Sequence, residues 1–135
     1  MAGKFAANTQ VPVERSQGAI IGEIKLMGAT EHATRESAAG TDIIFRVDGH
    51  LYRIGIPPFK NTPEGQKEAR RQWRVWYNFV KAIRVHKQEA KVPVAPMLVA
   101  WRMLPNGESA GPKILEALDS ATTNQPLRLE FADGK

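Results

Sequence analysis

"TDIIFRVDGHLYRIGIPP", Thr41 to Pro58, decides the fold class. Asp48-Gly49 supplies the positive backbone dihedrals of a two-residue hairpin turn. Counting outward from it pairs Val47 with His50, Phe45 with Tyr52 and Ile43 with Ile54. Side chains alternate along a strand, so these six share one face, which is expected to be buried. The other face carries Ile44, Arg46, Leu51 and Arg53. Pro57-Pro58 stops the second strand, because proline has no N–H for a ladder.

Downstream, Thr62-Pro63-Glu64 starts a helix, with Thr as N-cap, Pro at the first helical position and an acid in the first turn. Ala69, Trp73, Trp76, Val80 and Ile83 recur at spacings of four and three, a single apolar stripe. The helix should run to about Ala90, before Val92-Pro93. "PVAPMLVAWRMLPNGESAG" (93–111) reads as an apolar segment, strand or short helix, entering a turn at Asn106-Gly107. A helix is expected from Pro112 to about Ser120, with Ile114, Leu115 and Leu118 inward. "PLRLEF" alternates at Leu127, Leu129 and Phe131 and predicts a final edge strand.

Upstream, Ser16 is the expected N-cap of a short helix, "QGAIIGEIKLM", with Ile20, Ile21, Ile24 and Met27 on one side and Gly28 as its stop. Gly18 and Gly22 weaken it by about 1 kcal/mol each, and would let another backbone approach. "GATEHATRESAAGT" (28–41) is small and polar and reads as a loop. Residues 1–10 are expected to be a flexible N-terminal segment, and 11–135 a single α+β domain. That domain is a hairpin-based antiparallel sheet packed by one long and two short helices.

Composition bounds the function. At 135 residues the chain has the length of one domain, with 42% apolar and 24% charged residues, which excludes a disordered chain and a fibre. Without cysteine there are no disulfides or thiolate metal sites, in keeping with a reducing compartment. No apolar run approaches the roughly 18 residues of a membrane span, and "MAGKFAANTQ" lacks the apolar core of a signal peptide. No membrane partner and a cytoplasmic location are therefore expected. The net charge of +5 favours polyanions only if it clusters on one face.

On the long helix it clusters. At about 100° per residue, Lys67, Arg70, Arg74 and Lys81 fall within roughly 60° of each other, with Arg71 beside them. The helix carries no acid between Glu68 and Glu89, whereas a merely solvated face usually mixes signs. Arg46 and Arg53 would extend the patch if the hairpin packs beside the helix. Both Trp side chains belong to the apolar stripe, so cations and indoles are largely segregated.

No catalytic constellation emerges. Gly107-Glu108-Ser109-Ala110-Gly111 matches the nucleophile elbow, but His32, His50 and His86 all precede Ser109, and the hydrolase order needs a later His. Glu89-Ala90-Lys91 with Asp42 or Asp48 faintly matches a metal-dependent nuclease pattern, yet Glu89 ends a helix and Asp48 is a turn residue. The His residues show no metal-ligand spacing. No cofactor, metal or catalytic residue is expected.

"NTQVPVERSQGAIIGEIKLMGA" resembles the opening of an uncharacterised family of small bacteriophage and prophage proteins, which begin with a similar Val-Pro-Val-x-Arg-Ser stretch and a short helix. "IIFRVDGHLYRIGIPP" resembles their hairpin, "RRQWRVWYNFVKAIRVHK" their Arg-Trp helix, and "LPNGESAGPKILEAL" their Leu-Pro-Asp-Gly-like turn before the last helix. The likeness covers Asn8 to Leu118. The chain departs from it at Leu26-Met27-Gly28-Ala29 and at Pro93 and Pro96. The resemblance implies a phage context, hence the cytoplasm of a host cell, and work on DNA replication or recombination or against host systems. It transfers no catalytic residue. The leading expectation is a non-enzymatic accessory protein binding nucleic acid, DNA before RNA. The alternative is a protein-binding module, an inhibitor or adaptor of a host or phage protein, with Leu98, Val99 and Trp101 as its apolar patch.

Overall fold

The computed structural model describes residues 9–121. The strand expected at Leu127 to Phe131, and the first eight residues of the N-terminal segment, lie outside the described residues. Within them the order is α1 (Val13–Leu26), β1 (Glu31–Ser37), β2 (Gly40–Val47), β3 (His50–Ile56), α2 (Pro63–Ala90), α3 (Val94–Met97), a 3-10 turn (Val99–Trp101) and α4 (Gly111–Ala121). This is a small α+β domain.

The hairpin forms in the expected register, Val47↔His50, Phe45↔Tyr52 and Ile43↔Ile54. At its tip Asp48 and Gly49 take φ of 52° and 82°, the paired positive values of a type I′ turn. Ile43, Phe45, Val47, Tyr52 and Ile54 are buried, and His50 is half-buried at the rim. The Phe45 and Tyr52 rings stack with centroids 5.6 Å apart. Burial pushes the pKa of the Tyr52 hydroxyl up, while Arg102 pulls it the other way.

Residues 28–41 are not a loop. They contribute β1, which pairs antiparallel with β2 to give a sheet of order β1-β2-β3. All seven β1 residues are exposed, so the strand is held by backbone bonds to β2 and leaves no apolar alternation in the sequence. The turn into β2 needs Gly40, whose φ is +122° and where a Cβ would collide with the Ile56 carbonyl.

α1 and α2 lie side by side, N-termini together, over the inner face of the sheet. Ile20, Ile24 and Met27 from α1 join Ala69, Trp73 and Val80 from α2 in the core. α1 starts three residues before Ser16. Pro12, at φ −59°, leads the chain in, and its carbonyl accepts from the N–H groups of Arg15 and Ser16. Val13 thereby extends the apolar face, and Ser16 lies buried inside the helix instead of capping it. Gly28 stops α1 as expected, at φ +103° with the paired Ala29 N–H to Ile24 and Gly28 N–H to Lys25 bonds of a Schellman motif. Gly18 and Gly22 admit no neighbouring backbone, since a Cβ on either would meet nothing within 4 Å.

The C-terminal ends of α1 and α2 are joined by polar contacts. Arg84 Nε donates to Glu23 Oε1 at 2.7 Å, Lys87 Nζ donates to the Met27 carbonyl, and Gln88 Nε2 to the Leu26 carbonyl at 3.1 Å. α2 itself behaves as expected. Thr62 Oγ1 accepts from the Gly65 N–H at 3.0 Å, and Lys91 closes the helix in the left-handed region.

Beyond α2, Val94 and Leu98 are buried, and Trp101 packs against Trp76 and Phe79, at 6.2 and 5.1 Å between centroids. The chain then touches the β3 edge, through a Tyr52↔Arg102 bridge and a Met103 N–H to Leu51 carbonyl bond. α4 departs from expectation: Leu115 and Leu118 are 63% and 56% exposed, and only Ile114 is half-buried. α4 meets the 3-10 turn rather than the main core, so its apolar side is not drawn inward.

Trp73 is 3% exposed whereas Trp76 is half-buried in the aromatic cluster, so the two indoles are not equivalent. Trp73→Ala should cost roughly 3–5 kcal/mol in urea unfolding, and Trp76→Ala measurably less. Glu23→Ala should cost about 3 kcal/mol, because it strands a guanidinium that is largely withdrawn from water. A double-mutant cycle with Arg84→Met should recover part of that loss.

Candidate nucleic-acid interface

The apolar stripe of α2 faces the core, and its flank toward α1 carries Tyr77 and Arg84. The basic stripe begins at that flank. Lys67 and Lys81 are exposed, but Arg70 and Arg74 are half-buried. Their stems lie along neighbouring side chains, and their Nε atoms are withdrawn from solvent without a hydrogen-bond acceptor among the described residues. Arg74 sits over the Tyr77 ring at 4.5 Å, and the Lys81 ammonium lies 6.0 Å from the same centroid. The position at 77, three after Arg74 and four before Lys81, places an aromatic between two cations. The sequence spacing contained that contact, but it is invisible when only the tryptophans are weighed.

The seven expected site residues do not form one patch. Lys67, Arg70, Arg74 and Lys81 share the outer shoulder of α2, and none of the four has an acidic partner among the described residues. Arg71 is bound to Glu68 through two hydrogen bonds of 2.9 and 2.7 Å. That carboxylate raises the guanidinium pKa above its ordinary value and offsets the charge. Arg46 and Arg53 do not extend the stripe. They alternate with the buried residues of the hairpin and so lie on the sheet face turned away from α1 and α2. Arg46 is further paired with Glu31 at 2.7 Å.

Charge is distributed unevenly between the layers. α2 carries seven Lys and Arg against three Glu. The three strands carry Arg35, Arg46 and Arg53 against Glu31, Glu36 and Asp42. Two of those arginines are neutralised within the sheet, Arg35 on Asp42 and Arg46 on Glu31. The positive excess is therefore a property of the helix layer.

Among the described residues no group of three or more His, Asp or Glu is placed to hold a metal ion. Ser109 lies in a short turn between Met103 and α4, bridged Met103↔Ser109, and not on a strand-to-helix elbow. No helix among the described residues is long and apolar enough to cross a membrane. Compared with protein families, with curated proteins and with solved structures, the chain finds no match in any of the three.

The half-burial of Arg70 and Arg74 has a measurable consequence. Arg74→Ala should lower stability by about 1 kcal/mol, through the lost stack on Tyr77 and the lost packing of its stem. Lys67→Ala and Lys81→Ala should stay within about 0.5 kcal/mol of wild type in the same urea titration.

Proposed function

We propose that this protein is a non-enzymatic, phage-type accessory protein that binds nucleic acid, DNA in preference to RNA, through the outer shoulder of α2. The observation that carries the reading is the run of four cations with no acidic partner among the described residues, Lys67, Arg70, Arg74 and Lys81, on a helix with no acid between Glu68 and Glu89. From Lys67 to Lys81 the run extends over about 21 Å of helix axis. A polyanion with a charge every few ångströms fits such a row without reading base edges. The stacking of Arg74 on Tyr77 holds one guanidinium in place, which lowers the entropy lost when a phosphate is bound.

A second reading has its own support. α4 exposes Leu115, and the neighbouring Val99 is 45% exposed, so a protein partner would find apolar surface at that end. The patch expected there is altered, because Leu98 is 1% exposed and belongs to the core.

Anisotropy titrations with single- and double-stranded oligonucleotides separate the readings. At about 50 mM salt the wild type should bind duplex with a Kd in the micromolar range. The logarithm of affinity should fall against the logarithm of salt with a slope of roughly −3 to −4, for about four phosphate contacts. Lys67→Ala with Lys81→Ala, both at exposed positions, should reduce that slope by about 2 while leaving folding intact. No binding at low salt, or an unchanged slope in the double variant, would exclude the α2 shoulder and leave the protein-partner reading.

A further inference from the structure

The two edges of the sheet are treated differently. The edge of β3 is touched by Arg102 and Met103, through the Tyr52↔Arg102 bridge and the Met103 N–H to Leu51 carbonyl bond. The edge of β1 has no described neighbour, and all seven of its residues are exposed. β1 pairs with β2 in an unbroken register from Glu31↔Arg46 to Ser37↔Gly40. It contains no proline, no lysine and no bulge, three of the usual devices that blunt an open edge.

The groups that this edge offers follow from the hairpin tip. The two-residue turn at Asp48-Gly49 makes Val47 and His50 a hydrogen-bonded pair, so odd-numbered residues of β2 bond toward β3. Its even-numbered residues, from Gly40 to Arg46, therefore bond toward β1, where they face Ser37, Arg35, Ala33 and Glu31. His32, Thr34 and Glu36 are left with their N–H and C=O groups pointing away from the sheet.

We propose that β1 is a homodimer interface, pairing antiparallel with β1 of a second copy about a two-fold axis at Thr34. Thr34 is the middle residue of the seven, so this register matches the strands end to end. It sets Thr34 opposite Thr34, and His32 opposite Glu36 of the second copy, at positions whose backbone groups are free to bond. On the helix side of the sheet an imidazole N–H donor faces a carboxylate twice, and a Thr–Thr pair sits between them. On the other side Ala33 faces Arg35, Glu31 faces Ser37, and Arg35 reaches diagonally toward Glu31 of the second copy. No like charges stand directly opposed.

The charges that would deter an arbitrary strand thus complement a second copy of this one. Isologous symmetry demands such self-complementarity. The positive excess of the protein does not oppose the contact, since it sits on α2 and β1 carries two Glu and one Arg. The product is a continuous sheet of six strands with both helix layers on the same side. This pairing does not depend on what the α2 shoulder binds.

Sedimentation velocity of the full chain over roughly 10 to 500 µM tests it. Wild type should shift from monomer toward dimer with concentration. Thr34→Pro removes an N–H that β2 does not use, so the variant should keep its fold by circular dichroism and remain monomeric. His32→Glu should weaken the dimer at least tenfold by opposing two carboxylates, and adding Glu36→Lys should restore it. A wild type that stays monomeric throughout overturns the proposal, as does a dimer that neither Thr34→Pro nor His32→Glu weakens. A dimer lost in Thr34→Pro but untouched by His32→Glu overturns the register. If Thr34→Pro does not fold, the His32→Glu and Glu36→Lys series decides alone.

Discussion

Burial of one hairpin face holds this molecule together. Phe45 and Tyr52 stack across β2 and β3, and with Ile43, Val47, Ile54 and Ile56 they present a continuous apolar sheet surface. A two-stranded hairpin is marginal alone in water. Its stability comes from the two helices that cover it, and each helix is in turn held by what it buries there. α1 supplies Ile20, Ile24 and Met27, and α2 supplies Trp73 and Val80. The strand β1 depends on the same core at one remove, because it buries nothing and pairs only with β2.

Covering one sheet face with two parallel helices fixes where charge can lie. The flank of α2 that meets α1 must be satisfied, and Arg84 with Glu23, Lys87 with the Met27 carbonyl and Gln88 with the Leu26 carbonyl satisfy it at the C-terminal end. Nearer the N-terminus the flank is filled by Tyr77 and by the stems of Arg70 and Arg74. These two arginines therefore have a structural and an electrostatic part at once. Their stems pack and their guanidinium ends keep the positive potential of the outer shoulder. On the sheet side, two of the three arginines are paired with acids, Arg35 with Asp42 and Arg46 with Glu31. An electrostatic partner approaching from a distance meets a molecule with a positive helix layer and a nearly neutral sheet.

Local grammar was legible in the sequence wherever one short-range force decides the outcome. Asp48-Gly49 dictates the turn, and the period of two then dictates register and face. Thr62-Pro63 dictates the start of α2, the spacing of Trp73 and Val80 dictates its inward side, and Gly28 dictates the end of α1. The clustering of Lys67, Arg70, Arg74 and Lys81 on one shoulder follows from helical geometry alone.

Tertiary structure decided the rest, because those outcomes rest on what lies across space. β1 exists by hydrogen bonding to β2, a contact that no side-chain pattern in "EHATRES" records. Ser16 has the chemistry of a cap, but Val13 gains more by joining the apolar face, so α1 begins earlier and Ser16 is buried. Leu115 and Leu118 have helical spacing yet stay exposed, since α4 lies against the 3-10 turn and not the main core. Arg46 and Arg53 are basic like the α2 shoulder, yet the sheet stands between them and it. Periodicity tells which side of an element is apolar, while only packing tells which elements share a side.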